Sequence, residues 1–309
     1  MIEVKNLSKS YGRIPAVKNI SFTVKEGYIY GFLGPNGAGK STTMNMICGC
    51  LATTEGEIAI NGHDIVDETV EAKSCIGYLP EIPPLYTDMT PYEYLEFVGM
   101  AKGLRKAALY DEIEFVMGKT GISDVADRLI KNLSKGYRQR VGIAQAIMGD
   151  PDIIILDEPT VGLDPIQILE IRDLIRELGQ DHTVIISSHI LQEIEAVCDR
   201  VIMISRGTIV ADDTLEALTA NETLEEAFVR LAGESLDAGA AYAKEKALEA
   251  GDTSSKRGKK KVIVDSEKGS AYYEEVFVDE TPEKKADPAP TESDGDDYTP
   301  MFNTEEGDN

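Results

Sequence analysis

The most constraining feature of this sequence is a glycine-rich loop between an apolar strand and a helix. Residues 34–42 read GPNGAGKST, which matches the pattern G-x-x-x-x-G-K-[ST]. The run YIYGFL leads into this loop and the helical run STTMNMICGCL continues from it, so the loop has the strand-to-helix context that the pattern requires. A plain glycine turn is the alternative interpretation. A chain built around this connection is expected to contain an α/β core.

The residue types in this loop suit a phosphate ligand. Glycine lets successive backbone N–H groups converge on phosphate oxygens, and the N-terminus of the following helix adds the positive end of its dipole. Lys40 supplies a mobile charge for β- and γ-phosphates, and the Ser41 hydroxyl is a ligand for Mg²⁺. The predicted nucleotide-binding residues of the loop are Gly34, Pro35, Asn36, Gly37, Ala38, Gly39, Lys40, Ser41 and Thr42.

A second chemical element is the run IIILDEP, an apolar strand that ends in two carboxylates. The run lacks polar alternation, so we expect a central strand covered on both faces. Its carboxyl end lies at the sheet edge where open α/β sheets bind ligands. Asp157 is expected to hold Mg²⁺ through water, and Glu158 to orient and deprotonate an attacking water. Together with the loop, these residues predict nucleotide hydrolysis.

Apolar β-rich runs alternate with helical patterns up to about Gly233, the arrangement of a sheet flanked by helices. Strand signals disappear between about 82 and 134, where TPYEYLEFVGMAKGL begins with a Thr cap and a Pro, and where Ala108–Lys119 predicts a second helix. This stretch is interpreted as an inserted helical subdomain. The predicted strands are Ile2–Val4, Ser21–Val24, Tyr28–Leu33, Glu57–Ile60, Cys75–Tyr78, Asp152–Leu156, Thr183–Ser187, Val201–Ile204 and Thr208–Val210.

Residues 234–309 form a predicted C-terminal extension. Its middle, KKVIVDSEKGSAYYEEVFV, has the pattern of a strand pair, and the acidic, proline-containing sequence from about 280 predicts disorder. The formal charge of the chain is −24, and the last 45 positions hold 15 acidic and 3 basic residues. An acidic balance argues against non-specific nucleic-acid binding. No run approaches the roughly 20 apolar residues of a membrane span, so we expect a soluble cytoplasmic chain.

The four cysteines form no CxxC pair. Cys48 and Cys50 lie two positions apart in the predicted helix, so they face different directions and are not expected to chelate a metal together. We expect Cys48, Cys50, Cys75 and Cys198 to be small buried residues in a reducing compartment.

Four further features carry a resemblance to a known family. The run LSKGYRQR, which begins at Leu133, resembles the signature of ABC ATPases, usually written LSGGQ. The loop Gly162-Leu163-Asp164 and His189, which stands 31 positions after Glu158, also match the order of motifs in that family. Tyr11 falls where the family places an aromatic ring under adenine. The resemblance covers about residues 1–215.

This resemblance implies the fold of a P-loop NTPase cassette, with a mixed sheet core, an antiparallel β edge and an inserted helical subdomain. It also implies that two cassettes sandwich ATP. Ser134 and Gly136 of one cassette would face Lys40 and Ser41 of the other across the nucleotide. Asp164 would link the two sites, and His189 would contact the γ-phosphate.

Two departures from the usual motifs point to a subgroup. Lys135 and Tyr137 replace the common Gly and Gln of the signature, and Glu81 stands where most relatives have a Gln that touches Mg²⁺ and the attacking water. Both variations resemble type-2 ABC exporters, whose membrane domains are separate chains. The resemblance therefore implies a second cassette and a membrane permease as partners, ATP and Mg²⁺ as cofactors, and a peripheral location at the cytoplasmic face of the cell membrane.

The alternative function is that of a soluble ABC ATPase that regulates translation, DNA repair or iron–sulfur assembly. Translation-type members carry two cassettes in one chain, and repair-type members carry coiled-coil or zinc insertions; this sequence has neither. A non-hydrolysing scaffold is disfavoured by Glu158.

Overall fold

A six-stranded sheet forms the centre of the first part of the chain. Five of its strands are parallel, and the strand at one edge runs antiparallel to its neighbour. In spatial order the strands, numbered along the chain, are β10 (Thr208–Thr214), β9 (Arg200–Ser205), β3 (Ile29–Leu33), β8 (Thr183–Ser188), β7 (Ile153–Asp157) and β6 (Ile76–Leu79).

The uninterrupted apolar sequence of β7 is explained by its position between two cores. Ile154 and Leu156 pack into a hydrophobic cluster with the helical face of the molecule. Ile153 and Ile155 point the other way, into a cluster shared with a second sheet. Successive strand residues face opposite sides, so a strand covered twice needs apolar residues throughout. The prediction of a central strand covered on both faces is confirmed.

The second sheet is antiparallel and has the order β2 (Ile14–Val24), β1 (Ile2–Tyr11), β4 (Glu55–Ile60) and β5 (His63–Asp64). This sheet is the antiparallel β edge that the family resemblance implied. β1 and β2 are much longer than predicted, because their pairing continues through register shifts after Val4.

The predicted helical insertion consists of α3 (Pro91–Ala101), α4 (Lys106–Thr120) and two short 3₁₀ turns, followed by α5 (Lys135–Ile147). Thr90 caps α3 as predicted. Its hydroxyl accepts a hydrogen bond from Glu93 N at 3.2 Å, and the Glu93 carboxylate accepts one from Thr90 N at 2.9 Å, so the two form a reciprocal capping box. α4 corresponds to the helix predicted over Ala108–Lys119.

The cysteine prediction was wrong in part. The helix after the glycine-rich loop ends at Ile47, so Cys50 lies beyond it and is exposed, and Cys75 is half-buried. Cys48 and Cys198 are buried as expected, and burial raises the pKa of both thiols. The remaining helices are α1 (Lys40–Ile47), α2 (Thr69–Ser74), α6 (Pro165–Leu178), α7 (Leu191–Val197), α8 (Leu215–Leu218) and a helix described over 224–233.

The computed structural model describes residues 1–233, 261–265 and 270–274. The chain divides into two units, Met1–Glu245 and Lys246–Asn309. In the second unit, β11 (Lys261–Asp265) and β12 (Ser270–Glu274) pair antiparallel, so the predicted strand pair is present. The tail from about 280, for which the sequence predicts disorder, lies outside the described residues. Within the described residues, no helix has both the length and the apolar composition of a membrane span.

Candidate active site

A cavity of about 570 Å³ opens at the carboxyl edge of the six-stranded sheet. Parallel strands end at the same edge, so the loops that follow β3, β6, β7 and β8 all reach this place. The cavity is lined by Ala16, Asn36, Gly37, Gly39, Lys40, Ser41, Thr42, Glu81, Glu158, Val161 and His189. The structure thus brings together most of the predicted loop residues with three predicted catalytic residues that are distant in sequence.

The glycine-rich loop needs its glycines for two reasons. Gly37 and Gly39 have φ values of +78° and +109°, a region that L side chains rarely adopt. A Cβ on Gly39 would also lie 2.8 Å from the Ala16 carbonyl oxygen. The loop leads directly into α1, which has no acidic residue in its first turn. Its N-terminal N–H groups and dipole therefore suit an anion.

Lys40 is buried at the base of the cavity. Its ammonium donates to the Gly34 carbonyl oxygen at 2.8 Å, and the Pro35 carbonyl oxygen lies at 3.5 Å. The same nitrogen is 3.2 Å from Glu158 Oε1. Gly34 and Pro35 therefore act on the site through their carbonyl groups, which hold the lysine in place.

Glu158 connects this lysine to the histidine after β8. Its Oε2 atom lies 2.8 Å from His189 Nδ1. The backbone of Glu158 has a φ of +51°, and its N–H group lies 3.2 Å from the Ser187 carbonyl oxygen and 3.0 Å from Ser187 Oγ. A non-glycine residue in this conformation costs of order 1–3 kcal/mol and persists only where its surroundings hold it. The carboxylate is thus fixed at the sheet edge, buried and bonded to two basic groups.

Asp157, the last residue of β7, is buried next to Ser41. The Ser41 hydroxyl lies 3.2 Å from Asp157 Oδ1, and Ser187 donates a short hydrogen bond to the same oxygen. Burial raises the pKa of Asp157 above its ordinary value, although the two hydroxyl bonds oppose the rise. The charges of Glu158 and Glu81 raise this pKa further. A cation at this position would relieve the cost of burying the carboxylate.

The donor set of this site fits Mg²⁺. The ion prefers oxygen ligands and is usually held by one or two carboxylates together with waters and substrate phosphates. Asp157 and Ser41 supply a carboxylate and a hydroxyl. No cluster of three or more His, Cys, Asp or Glu side chains able to hold a metal occurs in the part of the chain that the structure describes. Magnesium bound here would therefore need phosphate and water oxygens to complete its coordination.

Glu81 lies in the loop after β6 and is exposed. It lines the main cavity, and it also lines a neighbouring cavity of about 450 Å³ together with Ile82, Leu85, Lys135 and Gln139. Glu81 therefore lies between the glycine-rich loop and the start of the helical subdomain.

Four predicted residues lie elsewhere. Tyr11, at the end of β1, is 53% exposed and does not line the main cavity; the Lys9 ammonium lies 5.6 Å from its ring centre. Ser134 caps α5 through a 3.3 Å hydrogen bond from Tyr137 N. Asp164 caps α6 by accepting from Ile166 N and Gln167 N, each at 3.0 Å.

Gly136, the fourth of these residues, is buried against α6. A Cβ at this position would meet the Gln167 amide at 2.6 Å, so a larger residue would require the Gln167 side chain to move. Gly136 and Asp164 line a separate surface cavity of about 530 Å³. Within one chain, the signature motif and the phosphate loop thus form two different surfaces.

Comparison with known proteins decides the family. A family model described as "ABC transporter" matches residues 17–161. The Bacillus subtilis protein named "Uncharacterized ABC transporter ATP-binding protein YhcH" is 40% identical over 213 residues, which is 68% of each chain. This chain belongs to the ABC transporter ATP-binding family.

Two further relatives agree with the ABC assignment. The "Linearmycin resistance ATP-binding protein LnrL" of Bacillus subtilis is 39% identical over 215 residues, 69% of each chain. A solved dimeric ATP-binding cassette in a post-hydrolysis state, bound to ADP and Pi, superposes with a TM-score of 0.64 at 28% identity, over 70% of this chain and 99% of that one. This chain is accordingly an ABC ATPase, which binds and hydrolyses ATP.

Sequence reasoning missed three contributors to this ABC site. Ala16 and Val161 line the cavity without a chemical group that would mark them in sequence. Ser187 bonds both Asp157 and the Glu158 backbone. Its position two residues before His189, in a strand parallel to β7, was the available signal, because paired parallel strands place their ends side by side.

Proposed function

We propose that this ABC ATPase drives export through a membrane permease carried by a separate chain. In this proposal two cassettes close on two ATP molecules, and hydrolysis lets them separate. The cavity that contains Lys40, Glu158 and His189 supports the part of the proposal that concerns ATP hydrolysis. An exposed apolar surface that begins directly after Glu81 supports the coupling half.

The geometry supports a division of roles within the cavity. Glu158 is proposed as the general base, since a carboxylate held beside the loop is within reach of a water next to a bound γ-phosphate. His189, bonded to Glu158, would contact that phosphate. Lys40 would bind the β- and γ-phosphates. Asp157, Ser41 and Glu81 would hold Mg²⁺, which when bound neutralises phosphate charge.

The second surface supports the two-cassette arrangement. Ser134 is exposed at the N-terminus of α5. Its hydroxyl and the first N–H groups of the helix are suited to contact the γ-phosphate of ATP bound to a second cassette. Gly136 and Asp164 lie on that surface, away from the phosphate loop of the same chain. Two copies are needed to bring both halves to one nucleotide.

The apolar surface after Glu81 is proposed as the permease docking site. Ile82 is 82% exposed and Tyr86 is 51% exposed, and the Tyr86 ring packs at 5.4 Å from Phe97, which is itself exposed. Contiguous exposed apolar groups mark interaction surfaces. Glu81 reaches the nucleotide cavity from one end of this segment, so the segment connects ATP binding to the surface. Leu85 is partly buried against the core and is less suited to test docking.

The docking proposal is tested with Ile82→Glu and Tyr86→Glu. The matched control is Val70→Glu, because Val70 is an equally exposed apolar residue on α2. Each full-length variant is co-expressed with the permease that co-purifies with the parent chain. We expect Ile82→Glu and Tyr86→Glu to lose co-elution and permease-stimulated turnover while keeping basal ATPase activity, and Val70→Glu to resemble the parent. Equal behaviour of all three variants would place docking elsewhere.

Export is supported by Glu81, Lys135 and Tyr137, which differ from the usual ABC motif residues in the way that type-2 exporters do. It is also supported by the relative named for linearmycin resistance. Cells that lack this chain should become more sensitive to at least one compound of an antimicrobial panel, and the parent gene but not its Glu158→Gln form should restore resistance. The competing function is a soluble ABC ATPase. Fractionation of the source cells that leaves the chain away from membranes would favour that alternative.

A further inference from the structure

Glu193 is a buried carboxylate that does not line the active-site cavity. It lies on α7 and is 4% exposed. One carboxylate oxygen accepts a 2.5 Å hydrogen bond from the Thr160 hydroxyl, and the other accepts a 2.8 Å hydrogen bond from the Ser188 hydroxyl. Among the described residues, no lysine, arginine or histidine forms an ion pair with it. Burial of a carboxylate without a cation is costly, so the fold keeps it at a cost in stability.

The two hydroxyl groups belong to the two loops that carry the reactive side chains. Thr160 stands two residues after Glu158, and Ser188 immediately precedes His189. Both are buried, as Glu193 is. Glu193 therefore bridges the loop after β7 to the end of β8, on the side of these loops that faces the protein interior.

Glu158 needs such a bridge because its backbone is strained. Its φ of +51° is maintained only if neighbouring bonds hold the chain on both sides. Ser187 holds the Glu158 N–H group, and the carbonyl of Glu158 accepts from Val161 N at 3.2 Å. The Thr160–Glu193 bond anchors the same turn to α7.

We propose that Glu193 is a positioning residue for ATP hydrolysis. It touches neither the cavity nor the 2.8 Å contact between Glu158 and His189, but it fixes the relative positions of the loops that present them. Displacement of a reacting group by about 1 Å can cost as much as 10²-fold in rate, so this bridge acts on turnover and leaves nucleotide binding, which uses the loop before α1, nearly unchanged. The inference rests on the proposed roles of Glu158 and His189, and does not depend on transport.

The test uses the basal ATPase activity of the full chain without a permease. Glu193→Gln replaces one oxygen by an NH₂ group that cannot accept a hydroxyl proton, and Thr160→Val removes the hydroxyl while keeping the side-chain shape. We expect both variants to lose about tenfold to a hundredfold in kcat, with KM for ATP within about twofold of the parent. Thr160→Ser, which restores the hydroxyl, should recover most of the loss.

Two controls separate positioning from folding. Glu195→Gln makes the same chemical change at an exposed site on the same helix and should leave kcat and Tm unchanged. In the Glu193→Gln/Thr160→Val double variant, the losses should be strongly non-additive, since both changes break one bond. The proposal would be overturned if Glu193→Gln and Thr160→Val both kept the kcat of the parent, counted per ATP-binding site, and differed from it only in a lower Tm. Glu158→Gln is measured alongside: near-normal turnover in that variant would instead remove the proposed role of Glu158.

Discussion

Lys40 Nζ lies 3.2 Å from Glu158 Oε1, and both side chains are buried in the same cavity. The cation that would bind phosphate is therefore paired with the carboxylate that would activate water. A triphosphate entering the cavity must compete with Glu158 for the lysine. With the proposed roles of these residues, nucleotide binding would release the carboxylate for hydrolysis.

Glu158→Gln is expected to lower the hydrolysis rate by about 10²–10⁴-fold, the usual loss when a general base is removed. The same change removes the charge that competes for Lys40, so ATP affinity should rise above that of the parent. Single-turnover hydrolysis and equilibrium binding of a fluorescent ATP analogue measure the two effects. A rate near that of the parent, or weaker ATP binding, would contradict this account.

Lys40→Ala is expected to weaken ATP binding, because the loop loses its mobile positive charge and Glu158 then faces the phosphates without the lysine. The ATP-dependent dimer, measured by size-exclusion chromatography, should disappear. Lys5→Ala removes an exposed lysine of β1 that does not line the cavity, and serves as the control. ATP-dependent dimers of Lys40→Ala at parent levels would show that the lysine is dispensable for binding.

Asp157→Asn is expected to stabilise the nucleotide-free protein. Burial raises the pKa of Asp157, so its charged form is less favourable in the folded than in the unfolded chain and lowers stability at neutral pH. Asparagine keeps the one oxygen that bonds both Ser41 and Ser187. A gain of about 1 kcal/mol would raise Tm by roughly 2–4 °C in a domain of this size.

The same variant should lose most of the additional stabilisation that Mg²⁺ gives in the presence of ATP. Differential scanning fluorimetry with and without Mg²⁺ measures both quantities, and Asp181→Asn, a change at an exposed site, is the control. A fall in the Tm of the nucleotide-free Asp157→Asn protein would mean that the charge is compensated in a way the site geometry does not provide.

Glu81→Gln and Glu81→Ala are expected to change the dependence of ATPase activity on free Mg²⁺. A carboxylate about 4 Å from a phosphate charge is opposed by roughly 4 kcal/mol at an effective dielectric near 20, and Mg²⁺ is the cation that would offset this repulsion. Glu81 is exposed and lines two cavities, so it has room to turn toward the metal. Titration curves that overlay the parent in both variants would exclude Glu81 from the metal site.

The parts of the structure that sequence predicted well are those set by local pattern. The phosphate loop follows from glycine spacing between a strand and a helix, and Asp157 and Glu158 follow from an apolar run with a fixed end. The long strands β1 and β2 were underestimated for a physical reason. Asn6 and Asn19 have φ values of +51° and +49°, and these breaks interrupt the alternation of apolar and polar residues by which a strand is recognised.

The parts that sequence missed depend on contacts between distant segments. Glu193 is a charged residue on a helix, which in most proteins would be exposed to solvent. Only the packing of α7 near the ends of β7 and β8 shows that it is buried. Ser187 is likewise a polar residue whose burial and contacts with Asp157 and Glu158 depend on the packing of β8 beside β7. Tyr11 was assigned to adenine by family resemblance, and that assignment stays a prediction, because its ring does not line the cavity in a single chain.

The left-handed backbone of Glu158 lowers the stability of the fold at a residue whose side chain is proposed to be needed for hydrolysis. Glycine and asparagine adopt that region more readily than glutamate, so Glu158→Gly or Glu158→Asn would relax the turn while abolishing the base. The same substitutions would leave the buried Lys40 ammonium without its carboxylate, so the turn and the ion pair act on stability in opposite directions at this residue. A screen that rewards only thermal resistance should therefore recover such substitutions only together with a change at Lys40, whereas a screen for activity should retain both residues.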